Sequence, residues 1–190
     1  MKSVRLQLLV TAAAAVVSFI ICAARGLPPN EDIFLAVSSQ DIEQVRRGAR
    51  WGQADAPCEV KGLGLRGYVL HFALANGLDD AAKVLIVNGA DVNAKPFSSI
   101  PPLAWAVTRG NEEAAELLMA RGADVNVVVT GSTLLHSAAA ANQAVIAKLL
   151  IAHGAAVNAR DDDGRTPLKI ALERGSADVA ALLRAHGAKE

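Results

Sequence analysis

Two kinds of hydrophobic pattern divide the chain. From Leu6 to Ala24, 19 residues pass without a charge. Beyond residue 30 the apolar positions fall into short stripes broken by polar clusters and glycines. Asp178 to Ala185 predicts a helix with Val179, Leu182 and Leu183 on one face. A shorter helix precedes it, Pro167 to Arg174: Thr166 suits its N-cap, Pro167 its first position, and Gly175 ends it. Gly187 supplies the left-handed turn after the pair. A polar finger, Asp161-Asp162-Asp163-Gly164, stands before it.

The same arrangement recurs along the chain. Gly89-Ala90-Asp91-Val92-Asn93 returns as Gly122-Ala123-Asp124-Val125-Asn126, then as Gly154-Ala155-Ala156-Val157-Asn158, and last as Gly187-Ala188. The spacings are 33, 32 and 33 residues. A second landmark keeps step: Tyr68-Val69-Leu70-His71-Phe72-Ala73 aligns with Pro101-Pro102-Leu103-Ala104-Trp105-Ala106. It then aligns with Thr133-Leu134-Leu135-His136-Ser137-Ala138 and with Thr166-Pro167-Leu168-Lys169-Ile170-Ala171. A fixed period of this length is the mark of a repeat architecture, in which one unit cannot bury both faces of two short helices and neighbours share the core.

These residues resemble the ankyrin repeat, whose pattern is Thr-Pro-Leu-His-x-Ala opening one helix and Gly-Ala-Asp-Val-Asn following the next. The resemblance covers residues 31–190 and implies an all-α solenoid of helix-turn-helix units with finger loops, about five units with degenerate caps. Ile33 to Ser38 and Asp41 to Trp51 read as the helices of a first, degenerate unit. Ala36 aligns with Ala73 and Gly52 with Gly89, both 37 apart, so the first finger, Gln53 to Gly67, carries about four extra residues. That finger is expected to be the most mobile part of the folded region. Lys169, Glu173, Arg174 and Arg184 suit the last unit to face solvent as a cap.

The leading segment reads as an address. Lys2 and Arg5 form a positive start, Leu6–Ala24 an apolar stretch, and Cys22-Ala23-Ala24 puts small residues before a cut at Arg25, as in a secretory signal peptide. The expected organisation is signal peptide 1–24, linker 25–30 around Pro28-Pro29, and ankyrin-repeat domain 31–190. A retained membrane anchor is one alternative, since 19 residues can span a bilayer. Lipidation of Cys22 is another, though Ile21 stands where that motif needs a small residue. Ala-rich repeats behind such a leader resemble exported bacterial ankyrin proteins, so the expected compartment is the periplasm.

Composition sharpens this picture. The formal net charge is zero, from 19 Lys+Arg against 19 Asp+Glu. It argues against a nucleic-acid binder, which would show a basic excess. Without Lys2 and Arg5 the balance is 17 against 19, or −2. Apolar residues reach 52% but aromatics only 4%, a supply of small side chains that suits thin helical layers. Two cysteines exclude a disulfide-dense scaffold, and cleavage would leave Cys58 alone.

Little in the chain suggests chemistry. His71 and His136 occupy the family's His position, while His153 and His186 stand before unit-ending glycines, where a cation complements the helix dipole. The aspartates at 161–163 lack the alternating spacing and distal Glu of a calcium loop. No strand is expected before Gly62, Gly64 and Gly67, and no Gly-Lys-Ser/Thr follows them. No Gly-x-Ser-x-Gly occurs. A rival reading makes Cys58 the nucleophile of an enzyme or redox protein. No catalytic residue, metal site or cofactor is assigned.

What remains is surface, and the resemblance implies a face built from fingers and the exposed side of the first helices. The candidate partner-binding residues are Lys95, Phe97, Ser98, Ile100, Thr108 and Arg109 in the third unit. The fourth supplies Val128, Thr130 and Ser132, beside Ala140 and Ala141. The fifth supplies Arg160, Asp162, Asp163, Arg165, Glu173 and Arg174. Ala75 and Asn76 come from the second. Val127-Val128-Val129 stands where the family prefers Ala, any residue and Asp, in a finger one residue short. Phe97, Ile100 and Val128 are the expected anchors, while Trp105 and Phe72 fall inside helices. The expected function is non-catalytic binding of a protein partner by a monomer, without nucleic acid or small-molecule substrate. Alternatives are a periplasmic inhibitor of immunity type, or a membrane-tethered adaptor.

Overall fold

The computed structural model describes residues 33–48, 57–60, 65–94 and 100–189. The leader and linker readings, the end of the first unit at Trp51, and Lys95, Phe97 and Ser98 lie outside them. Two compact bodies divide the chain, Met1–Ser99 and Ile100–Glu190.

In the first body, helices α1 (Ile33–Ser38) and α2 (Ile42–Gly48) precede strands β1 (Pro57–Val60) and β2 (Leu65–Tyr68). Helices α3 (Val69–Asn76) and α4 (Asp79–Val87) follow. Asp41 accepts from the backbone N–H of Gln44 at 3.1 Å and so caps α2. The α1 helix packs on α2 and α3, and α4 on α2 and α3, around the buried Val37, Val45, Leu70, Leu74, Leu85 and Ile86. One expectation is corrected here. A strand does precede Gly62, Gly64 and Gly67: β1 pairs antiparallel with β2, Cys58 opposite Gly67 and Glu59 opposite Arg66. Gly67 lies within β2 itself, paired to β1, and no Gly-Lys-Ser/Thr follows these glycines, so the phosphate-loop reading still fails.

The second body repeats one plan three times. Its helices are α5 (Pro102–Arg109), α6 (Glu112–Ala120), α7 (Leu134–Ala140), α8 (Ala144–Ala152), α9 (Pro167–Arg174) and α10 (Ala177–Ala185). Strands β3 (Val128–Val129) and β4 (Ser132–Thr133) lie before α7. The first helix of each unit ends in a left-handed residue: Gly110, Asn142 and Gly175, at φ +70°, +52° and +71°. Asn is the side chain that best tolerates this geometry in place of Gly.

The inner row α5, α7, α9 and the outer row α6, α8, α10 each pack in sequence. Leu103, Leu135 and Leu168 recur as fully buried residues of the inner row, and Leu118, Leu150 and Leu183 of the outer row. Between them Ala106, Ala138 and Ala171 are buried. An alanine at each contact leaves the helices room to approach and leaves rings none, which gives the low aromatic content a cause. Asparagines clasp successive units. Asn126 accepts from the backbone N–H of Ala156 at 2.9 Å and donates to the Gly154 carbonyl at 3.3 Å. Asn158 repeats both bonds, to Lys189 and Gly187.

The expected all-α repeat architecture is present, with five helix pairs and two short ribbons among the described residues.

Candidate functional site

A groove of about 580 Å³ runs along the inner row of the second body. Trp105, Ser137 and Ile170 line it from the same position in successive units, and Thr108, Ala140 and Glu173 line it three residues later. Side chains three apart share a helix face, so one stripe of each inner helix forms the floor. Ile100 lies at one end and Arg174 at the other, with Val129, Thr130, Ser132 and Arg165 rising from the fingers.

The finger before α7 is a tight hairpin. Val129 pairs with Ser132, and Thr130 and Gly131 between them both have positive φ, +48° and +79°. That is the primed turn suited to a two-residue loop. The Gly131 carbonyl accepts from the Asp162 backbone N–H at 3.0 Å, so the two fingers lean on each other.

Asp161 organises the next finger. It is buried and accepts from the Arg165 backbone N–H at 2.7 Å, the Arg165 Nε at 3.0 Å and the Asp163 backbone N–H at 3.1 Å. Arg165 Nη2 lies 3.0 Å from Asp161 and 2.6 Å from Asp163. Burial alone would push the Asp161 carboxyl up. The Arg165 backbone N–H, its guanidinium hydrogen bond and its positive charge outweigh that, and hold the carboxyl below its ordinary value of 3.8.

A depressed carboxyl stabilises the fold above its ordinary value, and that contribution disappears as pH falls through the folded value. Asp161→Asn should therefore melt below wild type at neutral pH. The gap should close on acidification below about pH 4, read as melting temperature against pH. A gap constant to pH 2 would deny Asp161 this role.

His136 joins this finger to the previous one. Its Nε2 lies 2.9 Å from the Arg165 carbonyl, which can only accept, so Nε2 carries the proton. Nδ1 then accepts from the Thr133 hydroxyl at 2.8 Å and the Thr133 backbone N–H at 3.3 Å. Both ring nitrogens are occupied in holding the start of α7 to the next unit.

A family model described as ankyrin repeats (three copies) matches residues 33–129 and again 103–190. The chain belongs to the ankyrin-repeat family. Among similar proteins, the transient receptor potential cation channel subfamily A member 1 homolog of Caenorhabditis elegans is 39% identical over 111 residues. That stretch is 58% of this chain and 9% of that protein. The E3 ubiquitin-protein ligase Ufd4 of Drosophila melanogaster is 42% identical over 154 residues, 80% of this chain and 4% of its own length. The ankyrin repeat protein YahD of Escherichia coli is 48% identical over 46 residues, 24% of this chain and 23% of its own. The matched stretch spans less than a quarter of each relative, so the channel and ligase names describe much larger proteins.

Within the ankyrin repeats, the sequence-derived candidates separate into two sets. Ile100, Thr108, Thr130, Ser132, Arg165, Glu173 and Arg174 line the groove, with Ala140. Arg109, Val128, Arg160, Asp162 and Asp163 do not. Val128 is 62% exposed but off the groove. In a strand successive side chains face opposite ways, so Val129 takes the groove in its place. Arg160 is turned to the Gly164 carbonyl at 2.6 Å, and Asp163 to Arg165.

Trp105 is the principal residue that sequence reasoning missed. It lies inside a helix as expected, yet half-buried on the groove side. The signal was available, because Trp105 holds the x position of Thr-Pro-Leu-His-x-Ala, as do Ser137 and Ile170.

The remaining histidines have repeat roles. His153 and His186 each donate from Nδ1 to the carbonyl four residues earlier, Leu149 and Leu182, at 3.0 and 2.9 Å. They thus satisfy helix C-terminal carbonyls. His71 is buried in α3. Among the described residues no three His, Cys, Asp or Glu side chains are grouped to hold a metal ion.

Proposed function

We propose that this chain is a recognition module that does no chemistry and holds a protein partner in the groove of residues 100–190. Ankyrin repeats are protein–protein interaction modules, which gives the class of function. The observation that selects the groove is its construction: the same two helix positions, in three successive units, turn Trp105, Ser137, Ile170, Thr108, Ala140 and Glu173 to one surface. A preformed surface on packed helices costs little ordering on binding.

Ser137 is exposed on this floor, so Ser137→Arg fills the groove without touching the core. Affinity capture with the full chain should recover a partner with wild type and with Val128→Ser, and lose it with Ser137→Arg. Loss with Val128→Ser alone would move the binding face to the outer side of the finger.

We also propose that residues 1–24 direct export, to the periplasm in a bacterial cell, on the strength of the basic start, apolar run and small residues before Arg25. N-terminal sequencing should then read from Arg25. A membrane-bound chain that keeps Met1 would make the protein a tethered adaptor instead. Occlusion of an enzyme by the groove, as an immunity protein occludes a toxin, is a specific form of the same activity.

A further inference from the structure

We infer that the groove takes an extended, uncharged segment of the partner, with one bulky apolar side chain seated against Trp105. This rests on the groove being the binding face and specifies what that face reads.

The charges of the finger are closed. Arg165 would be the obvious receptor for an acidic segment, but it is already bonded to Asp161 and Asp163. Asp161 would attract a basic segment, but it is buried and accepts three hydrogen bonds from Arg165 and Asp163. Breaking such charge-assisted bonds to admit a ligand charge forfeits about as much as it gains. Glu173 and Arg174 are exposed, of opposite sign, and add no net charge to the groove. Over the lining residues two acids, Asp161 and Glu173, meet two bases, Arg165 and Arg174. A neutral surface offers a charged segment desolvation cost without compensation.

The open capacity is apolar at one end and hydroxylic in the middle. Trp105 and Ile100 are half-buried at that end, Val129 lines the groove from the next finger, and Ile170 lies at the far end in α9. A partly exposed tryptophan in a groove is the residue type that anchors interfaces. Thr108 and Thr130 spend their hydroxyl protons on the Ala104 and Val129 carbonyls, each at 2.8 Å. Ser132 and Ser137 line the groove with no such bond among the described residues, and so can serve the backbone of a bound segment. A helical ligand has its backbone groups already paired and leaves those hydroxyls nothing to bond. An extended one presents them. Packed helices stand about 8–10 Å apart, so crossing three inner helices takes roughly 16–20 Å, or about six extended residues.

The test uses the full chain as bait for a display library of random octapeptides. A parallel Trp51→Phe protein leaves Trp105 as its single tryptophan, since the chain has two. The enriched peptides should carry one large aliphatic or aromatic residue and a net charge near zero. They should blue-shift Trp105 fluorescence, and their affinity should change less than about twofold between roughly 0.05 and 0.5 M salt. Peptides rich in Asp and Glu, or in Lys and Arg, that still shift Trp105 and weaken tenfold with salt would overturn the inference while leaving the groove as the binding face. Peptides that leave Trp105 unchanged and bind Ser137→Arg as well as wild type would overturn both. Absence of any enrichment over a blank support would overturn the reading of a short extended segment.

Discussion

Leu150→Ala should destabilise the second body by about 2–5 kcal/mol, the range for a large-to-small change in a close-packed core. Leu150 is fully buried in α8. That helix belongs to the middle of the three units and packs on α6 on one side and α10 on the other. In a repeat array stability is approximately a sum of unit terms and nearest-neighbour terms, so a hole in the middle unit weakens two interfaces at once. Leu183 holds the equivalent position in the last unit and is equally buried, but α10 has a neighbour on one side only among the described residues. The cavity left by Leu183→Ala can close by local fraying of the last helix pair. At a urea slope of about 2 kcal/mol per molar, Leu150→Ala should lower the unfolding midpoint by about 1–2.5 M, and Leu183→Ala by clearly less. Far-ultraviolet circular dichroism during urea titration measures both. An equal or larger loss with Leu183→Ala would show that the units do not share their core in this way.

That asymmetry was legible in the sequence, because repeat chemistry is written in backbone-setting residues. Pro167–Arg174 is the helix expected from the Thr166 cap, the proline and Gly175, and its bounds agree residue for residue. Thr166 accepts from the Lys169 backbone N–H at 3.3 Å, as a capping threonine should. Asn142 stands where the neighbouring units have Gly110 and Gly175, and the spacing alone places the left-handed turn on it.

The groove was less legible, since it depends on which way a side chain turns after the backbone is set. The finger before α7 is one residue shorter than the family pattern, and in a two-residue strand a shift of one exchanges the two faces. Val128 and Val129 are chemically alike, so nothing in their identity says which one faces the groove. The charged finger depends on pairing that the sequence does not show. Asp163 and Arg165 are expected on the binding face, and in the structure they spend hydrogen bonds on each other and on Asp161. Their first task is to fold the loop from Asp161 to Arg165 onto itself. Trp105 was assigned to a helix and left out of the binding face, although one stripe of each inner helix faces the groove.

His136 links these two levels, fold and groove, and its removal should have the second large effect. The ring is buried. It caps α7 through Thr133 and donates to the carbonyl of Arg165, whose side chain forms the groove's charged end. His136→Ala leaves a partly buried carbonyl and a buried N–H without their partner, at about 1–3 kcal/mol for each, and adds a cavity. We expect a total loss of at least about 2 kcal/mol in urea titration. Packing and hydrogen bonding can be separated at this site. In His136→Leu most of the volume is restored but neither bond, so the greater part of the loss should persist. A glutamine carries both a donor and an acceptor on one planar group, so His136→Gln should recover more stability than His136→Leu despite its poorer apolar packing. The order Leu above Gln would mean that the ring acts by filling space. The order Gln above Leu would mean that the bond from Nε2 to the Arg165 carbonyl holds the finger in place, and then the same order should appear in how well each variant binds a ligand of the groove.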